Sequence, residues 1–165
     1  MERGYFAGAG MTDFDLFRFV PFRLNRLSAE VSAALSEEYR ARYGFEIPEW
    51  RVLATLGFRN ASCSAQFIVE STRTHKSTIS RAVTNLLARG LLERIESSDD
   101  RRAFELKLSR AGRKLFDELW PRLVAKESEM LSCLSPQERK QLAVILNKLE
   151  TNFDLPTSSQ EEDCK

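Results

Sequence analysis

The chain has 165 residues and a formal net charge of only +1 at pH 7, with 42% hydrophobic and 30% charged residues. This length suits one compact domain or two small ones that share a core, and the few glycines and prolines (7 and 5) favour a mainly helical protein. The sequence has no apolar run of transmembrane length, and residues 1–10 lack the apolar core of a signal peptide, so neither a membrane span nor an export signal is expected.

The cysteines and the histidine limit the chemistry of the chain. Cys63, Cys133 and Cys164 are widely spaced and form no CxxC motif, which is typical of a reducing compartment, so we expect a cytoplasmic protein without a membrane partner. With His75 as the one histidine, the ligands for a mixed Cys/His zinc site are too few, and no metal or other cofactor is expected. An enzyme is not expected either, because there is no nucleophile elbow, no phosphate loop and no pair of carboxylates in an apolar setting.

The first predicted element is a long amphipathic helix that ends near Arg42. Thr12 or Asp13 can cap it, and its apolar residues recur at steps of three and four. Because Pro21 lies inside this pattern, the helix either begins near Pro21 or is kinked there. Gly44 ends the segment, and a proline at the first helical position then marks the start of a second helix.

Two short helices joined by a tight turn are predicted next, over residues 64–72 and 76–89, and Gly90 ends the second one. One face of the second helix is apolar and is expected to be buried: Ile79, Ala82, Val83, Leu86 and Leu87. The opposite face is polar: Ser77, Ser80, Arg81, Thr84 and Asn85. Small hydroxyl side chains beside an arginine suit a helix inserted in the DNA major groove, although the same pattern is also found on ordinary solvated faces.

Two short strands with a charged connection follow. They cover residues 91–96 and 104–108. The second strand alternates between expected inward residues (Phe104, Leu106 and Leu108) and outward residues (Glu105 and Lys107). The connection ends in Arg101 and Arg102. A two-stranded ribbon with paired arginines at its tip, directly after a groove-facing helix, is typical of a wing, in which an arginine enters the minor groove while Asp100 orients the guanidinium.

Basic charge is concentrated in this central stretch. Residues 73–114 contain eleven Lys and Arg but only five Asp and Glu, so the local charge is positive although the whole chain is nearly neutral. A local excess of this kind is what a DNA phosphate footprint requires. Double-stranded DNA is therefore the expected macromolecular partner.

Two further amphipathic helices are predicted in the C-terminal part. Ser109 opens the first, which Pro121 should bend, and Ser135, Pro136 and Glu138 form a start signal for the second. Together with the first helix of the chain, they carry more apolar surface than one small DNA-binding unit can cover. This surplus predicts a homodimer, and the alternative is an intramolecular helical bundle in a monomer.

The central residues resemble the MarR family of winged-helix transcription regulators. Residues 100–112, DRRAFELKLSRAG, are similar to the family signature D-x-R-x-x-x-L-x-L-(T/S)-x-x-G. PEWRVL at residues 48–53 resembles the family's second-helix motif, and KSTISR at 76–81 with RGL at 89–91 resembles its recognition helix and exit. The resemblance covers residues 13–153 in element order, and the wing motif is its most specific part.

The resemblance implies a mainly α fold with a small β-wing. A winged helix-turn-helix DNA-binding domain would occupy residues 46–112, and residues 13–45 and 113–153 would form a dimerisation bundle. Residues 1–11 and 155–165 are expected to be flexible tails. The resemblance also implies a homodimer that binds a palindromic operator, usually as a repressor. Many members of the family release DNA when a small acid, often aromatic, or a thioester enters the cleft between the dimerisation and DNA-binding parts.

Carried over residue by residue, the resemblance assigns DNA binding to two groups of residues. In the recognition helix and the turn before it they are Arg73, Lys76, Ser77, Thr78, Ser80, Arg81, Thr84 and Asn85. In the wing they are Asp100, Arg101 and Arg102. Relatives often carry Asp where this chain has His75, so either Thr74 caps the recognition helix or the start of that helix is weaker. A further alternative is that His75 makes DNA affinity depend on pH.

An effector site is predicted from residues 19–26, FVPFRLNR, which resemble the first helix of members that control aromatic-acid catabolism. The apolar slot and the cations that would hold a carboxylate or phosphate are assigned to Phe17, Pro21, Phe22, Arg23, Arg26, Trp50 and Arg51. The alternative for the aromatic residues is an ordinary core position. Two other functions stay open: a redox-responsive regulator that uses Cys63, and a winged-helix protein-interaction module that does not read DNA.

Overall fold

The computed structural model describes residues 15–96 and 104–155, including their side chains. Its elements in chain order are a 3₁₀ turn at Leu16–Arg18, α1 (Val20–Tyr43), α2 (Ile47–Arg59), α3 (Ala65–Thr72), α4 (Lys76–Ala88), β1 (Leu92–Glu96), β2 (Phe104–Leu108), α5 (Arg110–Met130) and α6 (Pro136–Asn152). This order confirms the predicted mainly α fold with a small β-wing. The chain divides into two compact units, Met1–Ala34 and Leu35–Lys165.

The N-terminal unit contains a capped turn and the first part of α1. Asp15 Oδ1 accepts a hydrogen bond from Phe17 N (2.9 Å). Because α1 begins at Val20, Pro21 lies in its first turn, where no backbone N–H donor is required. The observed start is therefore the one near Pro21, and the expected caps Thr12 and Asp13 lie outside the described residues. Apolar side chains of this unit are largely exposed: Phe17, Val20, Leu24, Leu27 and Val31.

The larger unit builds its core between a helix-turn-helix and the base of the wing. Fully buried apolar side chains come from α2, α3 and α4: Val52, Leu53, Leu56, Ile68, Ile79 and Leu86. Leu106 of β2 and Leu119 of α5 complete the same core. Burial of each such side chain is worth roughly 1.5–3 kcal/mol. This core therefore fixes the face that α4 presents to solvent.

The wing is a two-stranded antiparallel sheet that is anchored at its base. β1 pairs with β2 in a register that runs from Leu92 opposite Leu108 to Glu96 opposite Phe104. The backbone of Cys63 exchanges hydrogen bonds with Leu106 in both directions (3.0 and 2.9 Å), which ties the wing to the connection between α2 and α3. Phe104 lies on the same face as the fully buried Leu106, as the alternation predicts, but its side chain is 45% exposed. Alternation identifies the shared face, but that face leaves the core before the strand ends.

The two C-terminal helices begin with the caps that their sequences predict. Ser109 Oγ accepts a hydrogen bond from Gly112 N (3.0 Å), and α5 then continues through Pro121. At the start of α6, Ser135 N donates to Glu138 Oε2 (2.8 Å) and Glu138 N donates to Ser135 Oγ (3.3 Å). Ser135 Oγ also donates to Glu138 Oε2 (2.8 Å), and the hydrogen bonds that the Ser135 backbone and side chain donate to this carboxylate hold the pKa of Glu138 below its usual value.

The apolar surface of α6 is uncovered in the single chain. None of its residues is buried, and its large aliphatic side chains are exposed: Val144, Ile145, Leu146 and Leu149. Several exposed aliphatic side chains on one helix are typical of a surface that another protein surface covers. Within residues 15–96 and 104–155, no helix has both the length and the apolar character needed to cross a bilayer.

Candidate nucleic-acid interface

The polar face of α4 is open to solvent, as its sequence predicts. Ile79, Ala82, Val83 and Leu86 are buried and Leu87 is half-buried on one side. The other side exposes five polar residues: Ser77, Ser80, Arg81, Thr84 and Asn85. Thr78 is half-buried at the edge, and Arg73 and Lys76 are exposed at the N-terminal end. The predicted recognition residues on α4 therefore lie together on one accessible surface.

His75 itself caps α4. Its Nδ1 accepts a hydrogen bond from Ser77 N (3.3 Å) and lies 2.8 Å from Ser77 Oγ. The expected alternatives were a cap by Thr74 or a weaker start, and the structure places the cap on His75 and not on Thr74. A neutral imidazole whose Nδ1 is unprotonated presents a lone pair to the first helical turn in the same way as a carboxylate oxygen does.

Thr74 has a different function from the expected cap. Its Oγ1 accepts a hydrogen bond from Arg51 Nη1 (2.9 Å) and donates to Thr72 O (3.2 Å). Arg73, which ends α3, adopts the left-handed conformation (φ 49°). Arg51 was assigned to the effector site, and in the structure it ties α2 to the turn that sets the start of the recognition helix.

Asn85 is held from behind by a buried carboxylate. Asn85 Nδ2 donates to Glu49 Oε1 (3.3 Å), and Glu49 Oε2 accepts from Glu46 N (2.7 Å). Glu49 is buried at the first turn of α2. Glu49 was not among the predicted site residues, because its partner lies 36 positions away and no local motif marks the contact.

The exit of α4 is fastened to α5 by a compact set of hydrogen bonds. Ser109 Oγ donates to Gly90 O (2.7 Å), and Ser109 N donates to Leu91 O (3.0 Å). Arg89 Nη2 donates to Tyr43 O (2.6 Å), and its guanidinium lies 4.2 Å from the centroid of the Phe45 ring. The end of the recognition helix is therefore joined to both α1 and α5.

On the described part of the wing, Arg94 is a basic residue beside this surface. Asp100, Arg101 and Arg102 lie outside the described residues. On the described part of the wing, the Arg94 guanidinium lies 4.5 Å from the centroid of the exposed Phe104 ring. Arg94 was predicted only as part of the local positive charge, and its position opposite Leu106, one pair away from Phe104 on the same face, is the signal that could have identified it.

Three of the predicted effector residues form a cluster in the N-terminal unit. The rings of Phe17 and Phe22 meet edge to face with centroids 5.8 Å apart. The Arg26 guanidinium lies 5.3 Å and 5.6 Å from the same two ring centroids. Pro21 and Arg23 are exposed on the same helix. An apolar and cationic surface of this kind can hold a flat ligand that carries an acidic group.

Trp50, the remaining predicted effector residue, lies in a column of aromatic rings within the larger unit. It stacks between Tyr39 and Phe116, with centroid distances of 5.8 and 6.1 Å. Trp120 continues the column, and Phe58 meets it edge to face at 4.6 Å. Trp50 is half-buried, so the alternative of an ordinary packing position accounts for much of its surface.

The environment of Cys63 does not suit a redox sensor. The residue is only 5% exposed, and burial, which outweighs the opposing effect of Arg59, raises the pKa of its thiol to about 11. A reactive cysteine needs a depressed pKa and an open approach. Among the described residues no three His, Cys, Asp or Glu side chains are grouped as metal ligands.

Comparison with known proteins shows similarity to one family of transcription regulators. Residues 43–103 match the model of the MarR family. The chain is 29% identical over 132 residues to the HTH-type transcriptional regulator PecS of Dickeya dadantii strain 3937. The aligned region covers 79% of each protein. A MarR-family regulator from Silicibacter pomeroyi has a similar structure, with a TM-score of 0.72 and 29% identity over 87% of this chain and 96% of that one.

A third similarity concerns the fold alone. The structure of CouR from Rhodococcus jostii RHA1 bound to p-coumaroyl-CoA has a TM-score of 0.71 and is 21% identical over 82% of this chain and 94% of that one. The matched family segment contains α2, α3, α4 and β1, and it therefore includes the exposed polar face of α4. In sequence and in fold, the chain is therefore similar to transcription regulators of the MarR family, and the family match lies over residues 43–103.

Proposed function

We propose that the protein is a repressor that binds a palindromic operator as a homodimer and releases it when a small aromatic acid or its CoA thioester binds. The observation that carries the proposal is the polar face of α4, which is exposed, clustered and backed by a rigid core. Arg81 pairs with a guanine edge in the major groove, and the small side chains of Ser80 and Thr84 allow close approach. Arg102 reaches the neighbouring minor groove.

Loss of the wing arginine should weaken specific binding. For Arg102→Ala we expect operator affinity to fall by about 1–3 kcal/mol, the scale of one specific contact. The operator is first selected from a random duplex pool with the wild-type protein, and binding is then measured by fluorescence anisotropy. Arg122→Ala, which removes an exposed arginine from α5 far along the chain, is the matched control and should leave affinity unchanged. Equal affinities for Arg102→Ala and wild type would remove the wing from the proposal.

The homodimer rests on the two apolar surfaces that the single chain leaves uncovered. α1 exposes Val20, Leu24, Leu27 and Val31, and α6 exposes Val144, Ile145 and Leu149. Burial of such side chains between two copies gains about 25 cal/mol per Å² of apolar surface. A two-fold dimer also matches the symmetry of a palindromic site.

The effector rests on the cluster of Phe17, Phe22 and Arg26, and the CouR complex shows that a MarR-type fold accepts a CoA thioester in that protein. We expect p-coumaroyl-CoA or a free hydroxylated aromatic acid to raise the melting temperature and to release the selected operator, because the effector binds better to the DNA-free state. Differential scanning fluorimetry and anisotropy measure the two effects. Arg26→Gln should weaken both responses, and Arg18→Gln, a neighbouring arginine, should leave them intact. A panel of such compounds without any shift would eliminate this class of effector.

A further inference from the structure

A cleft of about 300 Å³ separates the recognition helix from the wing. Lys76, Ser80 and Thr84 of α4 line one wall, and Arg94 and Phe104 of the wing line the other. Its floor is apolar. Both walls therefore carry a cation, and the cleft opens between the two parts of the protein that are proposed to contact DNA.

The strand register places Arg94 on the inner face of the wing. Arg94 pairs with Leu106 across the sheet, and Leu106 is fully buried against the core. Side chains of directly paired residues share a face, so Arg94 leaves the sheet on the side of α4. Glu96 and Phe104 form the next pair on that face, further from the core. The inner face thus changes from buried leucines to an exposed arginine and an exposed aromatic ring.

Phe104 supports Arg94 in this position. The guanidinium carbon lies 4.5 Å from the ring centroid, which is within the range of a cation–π contact. A guanidinium that rests on a ring keeps its N–H groups free at the edge, where they can donate to a phosphate oxygen. This contact gives a physical reason for an aromatic residue that is 45% exposed.

The grooves of DNA determine what crosses the cleft. If α4 occupies a major groove and the wing tip occupies the adjacent minor groove, the sugar-phosphate strand between those grooves passes between α4 and the wing. We propose that Arg94, held by Phe104 and assisted by Lys76 on the opposite wall, binds a phosphodiester of this strand. The assignment rests on the proposed function, and it adds a contact that positions the protein without reading sequence.

A salt titration separates this contact from base recognition. R94A should lower affinity by the same factor for the selected operator and for a duplex of random sequence, and should reduce the salt dependence by about one phosphate contact. The factor by which R94A lowers affinity relative to the wild type should therefore decrease about threefold between ~50 and ~200 mM salt. F104L, which removes the ring but keeps an apolar side chain, should give a smaller loss of the same kind. K107A is the matched control, because Lys107 is on the outer face of the same sheet and pairs with Glu93 (3.4 Å).

Neutral phosphates test the contact directly. Methylphosphonates are introduced one position at a time in the selected operator, and binding is measured for the wild type and for R94A, with thermal melting as a check of folding. We expect one phosphate in each half-site at which the substitution weakens the wild type but not R94A. Equal sensitivity of both proteins at every phosphate, or an unchanged salt slope for R94A, would overturn the phosphate contact of Arg94 and leave the proposed function standing. A wild-type protein that binds no DNA would overturn the proposed function, and this contact with it.

Discussion

Replacement of Gly112 by alanine is expected to lower the free energy of unfolding by about 3 kcal/mol or more, the upper end of the range for overpacking substitutions. A Cβ at position 112 would overlap the carbonyl oxygen of Leu91. That carbonyl is held in place by two hydrogen bonds of 3.0 Å. Leu91 N donates to Leu86 O, and Leu91 O accepts from Ser109 N. Urea denaturation, monitored by circular dichroism, measures this decrease in the free energy of unfolding.

The control for Gly112→Ala lies in the same helical turn. Ala111 is exposed, so Ala111→Ser should change stability by no more than about 0.5 kcal/mol. If Gly112→Ala unfolded at the same urea concentration as the wild type, the close approach of α5 to the exit of α4 would be refuted. The expected loss also explains the last glycine of the family signature physically, because at this position only a residue without a Cβ fits beside the Leu91 carbonyl.

Replacement of Ile145 by glutamate is expected to dissociate the homodimer. Ile145 is 54% exposed in the single chain, and the proposed interface would bury it together with Leu149. A carboxylate without a partner in an apolar interface costs several kcal/mol, which exceeds what one aliphatic contact contributes. A monomer also loses the gain from binding two half-sites at once, so affinity for a palindromic duplex should fall by roughly 10²–10⁴. Sedimentation velocity and anisotropy measure the two effects.

Asn147→Glu provides the control for this substitution. It introduces the same charge two residues further along α6, on nearly the opposite side of the helix, where the dimer should persist. A stable dimer with Ile145→Glu, or a wild-type protein that is monomeric at all concentrations, would refute α6 as part of the interface.

The sequence was sufficient wherever structure is determined by neighbouring residues. Ser135 and Glu138 are three positions apart, and their capping hydrogen bonds are those that the spacing predicts. The buried face of α4 likewise follows from apolar residues at helical spacing, of which Ile79 and Leu86 are fully buried. Local chemistry therefore predicted the elements and the accessible face of the recognition helix.

The remaining features depend on residues that are distant in the sequence. Glu49 supports Asn85, and Arg51 contacts Thr74 from 23 positions away, and no local pattern specifies either pair. The exposure of Phe104 depends on where the core ends, which alternation along a strand does not encode. The His75 cap was missed for a chemical reason, because imidazole is an uncommon acceptor at a position where short oxygen-bearing side chains are preferred.

The hydrogen bonds between Ser109, Gly90 and Leu91 also have a mechanical consequence. They attach the first turn of α5 to the end of the recognition helix, so we expect these two elements to move together as one arm. The 21 residues of α5 give that arm a length of about 30 Å. If the arm tilts by about 5° around the C-terminal end of α5, α4 moves by roughly 3 Å, which is about the length of a hydrogen bond. On the proposed function, a small change of angle at one end of α5 would therefore be enough to move the recognition helix out of register with the bases.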